Sequence, residues 1–196
     1  MIIHPPAADA VEGHAAQMYG SDVESDGFVF GYTKAMAVNP EAHAAFEQLI
    51  RAIVPSIGIR GFEAATLGAA RAIASPHCLL AHARKSVRGG VTDEAGLSAF
   101  AVGDDSAFTP AEQAVIRYAE KLSTDAAAMT DEDSQELRDA GFTDRQIVDI
   151  TLAAAARNFF SRALLALAVP VDAMPGLDPA LARALVDEEA TQASDE

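Results

Sequence analysis

Helix-start signals recur along this 196-residue chain, and they constrain its fold more than any other feature of the sequence. Asn39 stands before a proline and an acidic residue, a combination that caps a helix and suits its first turn. Thr109 and Thr143 each begin a capping box, because Glu112 and Gln146 follow three residues later. No stretch shows the sustained alternation of a half-buried strand. The sequence therefore predicts an all-α fold.

Composition and length extend this prediction. Ala, Leu and Glu are abundant, whereas aromatic residues make up only 6% of the chain, which favours helices over strands. The segment 27–32 is the nearest to a strand, but it is short and flanked by glycine, and we expect a loop. At roughly 150 residues per domain, the length favours one compact helical domain, residues 1–186. Residues 187–196 are acidic with little to bury, and we expect a disordered tail.

The charge balance excludes several classes of partner. Lys and Arg total 14 against 29 Asp and Glu, so the net charge is -15, which repels phosphate backbones and anionic lipid. No run of about 18 uncharged apolar residues occurs, and the first residues lack the pattern of a signal peptide. We expect a cytoplasmic protein that binds neither nucleic acid nor membrane. The single cysteine excludes a framework of intrachain disulfides.

An offset of 85 residues reveals a weak internal repeat. It aligns residues 66–70 with 151–155 and residues 79–81 with 164–166, so the fold is expected to contain two related helix pairs. Apolar residues of the second copy stand opposite Glu63, Cys78 and His82 of the first. Because such a helix pair tolerates apolar residues at these positions, the polar set points to function.

This set of polar residues is typical of the surroundings of a reactive cysteine. Ser75 and Pro76 have the form of an N-cap and a first helical residue, which places Cys78 in the first turn. The positive end of the helix dipole favours a thiolate there. His82 lies one turn further on the same face, where it could exchange a proton with the thiol, and Glu63 from the preceding helix could orient the imidazole.

Simpler interpretations remain open. A lone cysteine also fits a buried small hydrophobe, and the Ser75 hydroxyl could simply cap the helix by accepting the N–H of Cys78. His77 has no firm role from its position alone. His77, Cys78 and His82 make a poor metal site, because adjacent residues diverge around a helix. We therefore predict no metal ligand and no cofactor.

At these residues the sequence resembles the alkyl hydroperoxidase D and carboxymuconolactone decarboxylase superfamily, in particular its peroxidase-related members. The peroxidases carry a Glu and, twelve positions later, Cys-x-x-Cys-x-x-x-His. Here that register reads Glu63, Ser75, Cys78 and His82, with His77 inside the motif. Further similarity follows in the later part of the chain, in residues 108–112, 140–144 and 157–159.

The resemblance implies roles for the predicted catalytic residues, which are Cys78, His82, Glu63, Ser75 and His77. Cys78 would attack a peroxide and become a sulfenic acid, with Glu63 and His82 as its proton relay. Ser75 replaces the cysteine that resolves the sulfenic acid, so reduction would need an external thiol or a protein reductant. The resemblance also implies a homo-oligomer, commonly a trimer or hexamer, with the site near subunit contacts.

Three functions follow as hypotheses. The first is a thiol peroxidase-like oxidoreductase that acts on hydrogen peroxide or small organic hydroperoxides. The second is a decarboxylase-type lyase or isomerase on a small carboxylated ring, which needs a basic group beside His82; the candidates are Arg71, Arg84, Lys85 and Arg162. The third is a non-catalytic oligomer, which a cysteine without a path from solvent would favour.

Overall fold

The computed structural model describes residues 1–186, so the predicted tail at 187–196 lies outside the described residues. The described part contains no β-strand, and the prediction of an all-α fold is confirmed. One 3-10 turn lies at residues 126–128. The nine α-helices of residues 1–186 are α1 (Gly13–Asp26), α2 (Gly31–Met36), α3 (Pro40–Ala72), α4 (Pro76–Arg88), α5 (Glu94–Ala101), α6 (Pro110–Asp125), α7 (Asp131–Asp139), α8 (Asp144–Ala166) and α9 (Pro179–Val186).

Helices begin where the capping signals predict them. The Asn39 side chain accepts a backbone N–H in the first turn of α3 at 3.0 Å. Thr109 and Thr143 precede α6 and α8 with complete capping boxes, which satisfy backbone donors at each helix start. The segment 27–32 is a loop only as far as Phe30, because its last two residues already form the start of α2.

A break in α3 separates an outer segment from a buried one. Gly58 has φ 68° and ψ 170°, a conformation that glycine adopts easily, and it divides the 33 residues of α3. Every residue from Gly61 to Ala70 is buried after this break. The helix packs along both α6 and α8, so Glu63 lies in the interior of the helical bundle.

Gly68 permits the close contact between α3 and α6. A Cβ at this position would lie 2.7 Å from the carbonyl oxygen of Ile116. Because a contact that short displaces one of the two backbones, glycine is required at this crossing. Around the crossing lies an apolar core whose largest fully buried side chains include Phe30, Phe100 and Leu67. None of the helices described in residues 1–186 combines the length and the apolar character needed to span a membrane.

The two copies of the sequence repeat differ at a helix break. In the first copy, residues 66–70 lie in α3 and 79–81 lie in α4, with a left-handed residue, Ala74 (φ 47°), between the helices. In the second copy, both matching segments lie in the continuous helix α8. Ser161 stands at the position that corresponds to Pro76, so this copy lacks the proline that begins α4.

Candidate active site

A cavity of about 290 Å³ lies against α3, α4 and α8. The apolar side chains of its wall include Phe46, Ile50, Phe62, Phe160 and Leu164. The polar groups of the lining include Cys78, His77, His82, Lys85, Arg157 and Arg51. The Arg51 side chain is 71% exposed, so the cavity reaches the protein surface. Its walls combine a nucleophile, an imidazole and positive charge around a space that a small molecule fits.

Cys78 occupies the first turn of α4, as the sequence predicts. The residue is only 2% exposed, but it lines the cavity. Its Sγ accepts a hydrogen bond from the Ser161 hydroxyl at 2.9 Å and one from Nη1 of Arg157 at 3.4 Å. Both donors project from α8. A guanidinium beside sulfur interacts more favourably with a thiolate than with a neutral thiol, because only the thiolate carries a negative charge.

Glu63 and His82 form a buried pair at the cavity, in which His82 belongs to the lining and Glu63 does not. Oε2 of Glu63 lies 2.6 Å from Nδ1 of His82, and both side chains are at most 2% exposed. Burial raises the pKa of Glu63 to about 7. Burial, together with the positive charges of Arg157 and Lys85, lowers the pKa of His82 well below its ordinary value. His82 is therefore neutral at neutral pH and able to accept a proton.

Ser75 stands at the N-cap of α4, but the prediction that its hydroxyl makes a capping hydrogen bond is wrong. The side chain makes no cap hydrogen bond, and Oγ has no partner among residues 1–186. Ser75 is fully buried, so the packing around its side chain competes with the capping hydrogen bond that serine can make at this position. A buried hydroxyl without a partner is energetically unfavourable, and it lies one turn before the Cys78 sulfur.

His77 is buried between the cavity and the segment that follows α8. Its Nε2 lies 3.2 Å from the carbonyl oxygen of Pro170, an acceptor, so the ring donates from Nε2. Nδ1 has no partner in the described part of the chain. The structure thus brings His77, Cys78 and His82 to one cavity, with Glu63 directly behind His82 and Ser75 outside the lining.

The basic residues at the cavity differ from those that the sequence indicates. Of the four candidates, only Lys85 lines the cavity. Arg71 and Arg84 form ion pairs with acidic residues elsewhere, and Arg162 donates to a backbone carbonyl. Sequence reasoning missed Arg157, which lies four residues before Ser161. This spacing places both side chains on one face of α8, but only the helix packing shows that the face meets Cys78.

The titration of Glu63 predicts a pH-dependent stability. Between its ordinary pKa of 4.5 and about 7, the folded state keeps a proton that the unfolded chain has lost, so the free energy of unfolding falls as pH rises. Glu63→Gln removes this titration. As pH rises from about 5 to about 8, the free energy of unfolding of the native protein should fall relative to that of the variant. We expect this relative change to reach up to roughly 3 kcal/mol.

Urea unfolding of both proteins across this pH range measures the effect. His82→Gln serves as a comparison. It removes a group whose lowered pKa makes the free energy of unfolding rise with pH, which is opposite to the effect of Glu63. If plots of the free energy of unfolding against pH were parallel for the native protein and Glu63→Gln, Glu63 would not titrate in this pH range.

A model of the carboxymuconolactone decarboxylase family matches residues 40–121, which include Glu63, Ser75, Cys78 and His82. Residues 40–121 therefore match the carboxymuconolactone decarboxylase family, which confirms the resemblance drawn from the motif. A search of curated protein sequences finds no match.

Solved structures similar to this chain share its fold. An uncharacterized peroxidase-related protein from Silicibacter sp. TM1040 has a TM-score of 0.71 at 21% identity and covers 90% of this chain and 94% of its own. An alkylhydroperoxidase AhpD core protein, peroxidase-related, from Ralstonia eutropha JMP134 has a TM-score of 0.70 at 18% identity, with coverages of 95% and 97%. The debrominase Bmp8 has a TM-score of 0.69 at 21% identity, with coverages of 87% and 91%. The fold is thus that of alkyl hydroperoxidase D.

Proposed function

We propose that the protein is a thiol peroxidase-like oxidoreductase that reduces hydrogen peroxide or small organic hydroperoxides through Cys78. The observation that carries this proposal is the environment of one sulfur atom. Cys78 Sγ lines a cavity that reaches the surface and accepts hydrogen bonds from Arg157 and Ser161. The His82–Glu63 pair adjoins the same cavity. These contacts support a reactive thiolate more than an inert core cysteine.

The oxidation step assigns a role to each group. His82 accepts the thiol proton, directly or through a water, and Glu63 orients the imidazole through its 2.6 Å hydrogen bond. The Cys78 thiolate attacks one peroxide oxygen, so an S–O bond forms while the O–O bond breaks. The relay returns the proton to the departing oxygen, which leaves as water or an alcohol. The peroxide is reduced by two electrons, and the sulfur becomes a sulfenic acid.

Reduction then requires thiols from outside the chain. Cys78 is the only cysteine, and Ser75 cannot form a disulfide. A first external thiol displaces water from the sulfenic acid and gives a mixed disulfide. A second thiol attacks this disulfide, which releases the Cys78 thiolate and the oxidised external pair. We propose this one-cysteine cycle with a small thiol or a protein reductant.

Ser75→Cys tests the one-cysteine cycle. The Cβ atoms of residues three apart on a helix lie about 5–6 Å from each other. Small adjustments bring two such cysteines close enough for a disulfide. The native protein, treated with one equivalent of peroxide and then glutathione, is expected to carry a mixed disulfide. The variant is expected to form an internal disulfide and to take up little or no glutathione. Intact mass spectrometry distinguishes the two products.

Ser86→Cys is the matched control. Ser86, within α4, is like Ser75 a fully buried serine whose hydroxyl lacks a partner in the described chain. It lies eight residues after Cys78, about 12 Å along the helix, too far for a disulfide. A native protein whose thiol stays unmodified after peroxide would refute the proposed peroxidase function.

A decarboxylase-type reaction is the second candidate, and one observation favours it. Arg157 and Lys85 line the cavity beside His82, where they could hold the carboxylate of a small ring. The apolar wall would accept the ring itself, and the likeness to a debrominase adds halogenated rings to the compounds worth assaying. Such a lyase or isomerase would use His82 and Glu63 for proton transfer and would not need Cys78 to change oxidation state.

Assembly into a homo-oligomer also belongs to the proposal. Val148, Leu152 and Phe159 lie near one side of α8 and are 54%, 40% and 62% exposed. Exposed apolar side chains on one helix support a subunit contact. Phe159 also stacks on Phe46 of the cavity wall, with ring centroids 6.0 Å apart, so a contact there would lie close to the site.

A further inference from the structure

We propose that His14, His43 and Glu47 bind a divalent first-row transition-metal ion at the edge of the Cys78 cavity. Nε2 of His14 lies 3.0 Å from Nδ1 of His43 and 3.7 Å from Oε2 of Glu47. One ligand atom from each residue falls within 4.8 Å of the other two. No other group of three such side chains in residues 1–186 meets this condition.

The distances suit a shared ion. A metal holds imidazole nitrogen and carboxylate oxygen at about 2.0–2.2 Å, so two ligands of one ion lie no more than about 4.4 Å apart. The separations from His14 Nε2 to His43 Nδ1 and to Glu47 Oε2, 3.0 and 3.7 Å, are within this limit. His43 and Glu47 are four residues apart on α3 and therefore share one face, while His14 approaches from α1. Two imidazoles and one carboxylate form a ligand set that zinc and other first-row metals prefer.

The surroundings allow an ion to enter and remain. The His14 and Glu47 side chains are 27% and 37% exposed, so solvent reaches the ligands without hydrating them fully. Three protein ligands leave at least one coordination position free for water or a small anion. His43 and Glu47 also line the cavity that contains Cys78, so the ion would sit at its edge.

One charge competes for Glu47. Arg51 donates to the same Oε2 at 2.8 Å, but its side chain is 71% exposed. An exposed pair of this spacing is much weaker than a metal–ligand bond, so the ion displaces or shares this contact. The hydrogen bond between His14 and His43 is replaced in the same way, because an ion takes the place of the shared proton.

Titration with Zn²⁺ and Co²⁺ tests this site on the full chain after chelator treatment. We expect one ion per chain and, with Co²⁺, a visible spectrum without a sulfur charge-transfer band. His14→Ala and His43→Ala should each weaken binding by at least about 100-fold, since loss of outer-shell partners alone costs 10–100-fold. His4→Ala, which removes an exposed histidine outside the cluster, is the control and should bind as the native protein does.

Cys78→Ser separates this site from the thiol. If the variant binds Co²⁺ as the native protein does, the cluster is the site. Binding that is lost in Cys78→Ser but retained in His43→Ala would overturn the proposal and assign the metal to the thiol. The absence of stoichiometric binding by the native chain would overturn it as well. Neither result depends on the peroxidase function, which is measured separately through oxidation of Cys78.

Discussion

Cys78→Ser is expected to reduce peroxide consumption to the uncatalysed background, a loss of at least about 1000-fold. A serine hydroxyl is not ionised near neutral pH, and it cannot form the sulfenic acid on which the proposed cycle depends. The substitution keeps the size of the side chain, so Ser161 and Arg157 retain a partner that accepts hydrogen bonds. Peroxide loss and thiol oxidation, followed together in the presence of glutathione, measure the effect.

Circular dichroism and thermal unfolding serve as the controls for this variant, because the site is buried and a folding defect would imitate a chemical one. A folded Cys78→Ser protein that still consumes peroxide would exclude Cys78 as the nucleophile. If that protein instead retained turnover of a carboxylated ring, the decarboxylase-type reaction would replace the peroxidase proposal.

Arg157→Met is expected to slow the reaction of Cys78 with peroxide by about 10- to 100-fold. Methionine fills much of the same space but removes the positive charge and the donor at 3.4 Å from Sγ. The Ser161 hydrogen bond remains, so the loss is smaller than for Cys78→Ser. Stopped-flow oxidation and the rate of iodoacetamide alkylation at fixed pH report the same loss of thiolate stabilisation.

Two variants sharpen the test. Arg162→Met removes a neighbouring arginine that donates to the backbone of Ser123, and it should leave both rates unchanged. Arg157→Lys should recover part of the loss, because it restores the charge without the guanidinium geometry. Equal rates for the native protein and Arg157→Met would show that the contact does not influence the sulfur.

The helical elements were predictable because their signals are local. Asn39, Thr109 and Thr143 satisfy backbone donors only a few residues away, so sequence neighbours alone determine where these helices begin. The beginning of α2 at Gly31 was missed, since a six-residue helix carries too short a pattern to distinguish from a loop. The Ser75 rotamer was also missed, because packing around a buried side chain is not local.

The candidate site was predictable only in part. The spacing of Glu63, Cys78 and His82 predicted that their side chains act together. The structure places the Glu63 carboxylate against the His82 imidazole. The prediction of no metal considered only residues of α4. In the metal site proposed above, the four-residue spacing of His43 and Glu47 is visible in the sequence, whereas the approach of His14 is not.

The sequence by itself determined the helices, most of their ends, and the presence of one thiol with a histidine one turn away. These features depend on contacts within about four residues, which the order of residues specifies directly. Only the tertiary structure decided that Arg157 and Ser161 meet Cys78 and that His14 meets His43. Those contacts join residues 29 to 83 positions apart, and they follow from how buried helix faces pack.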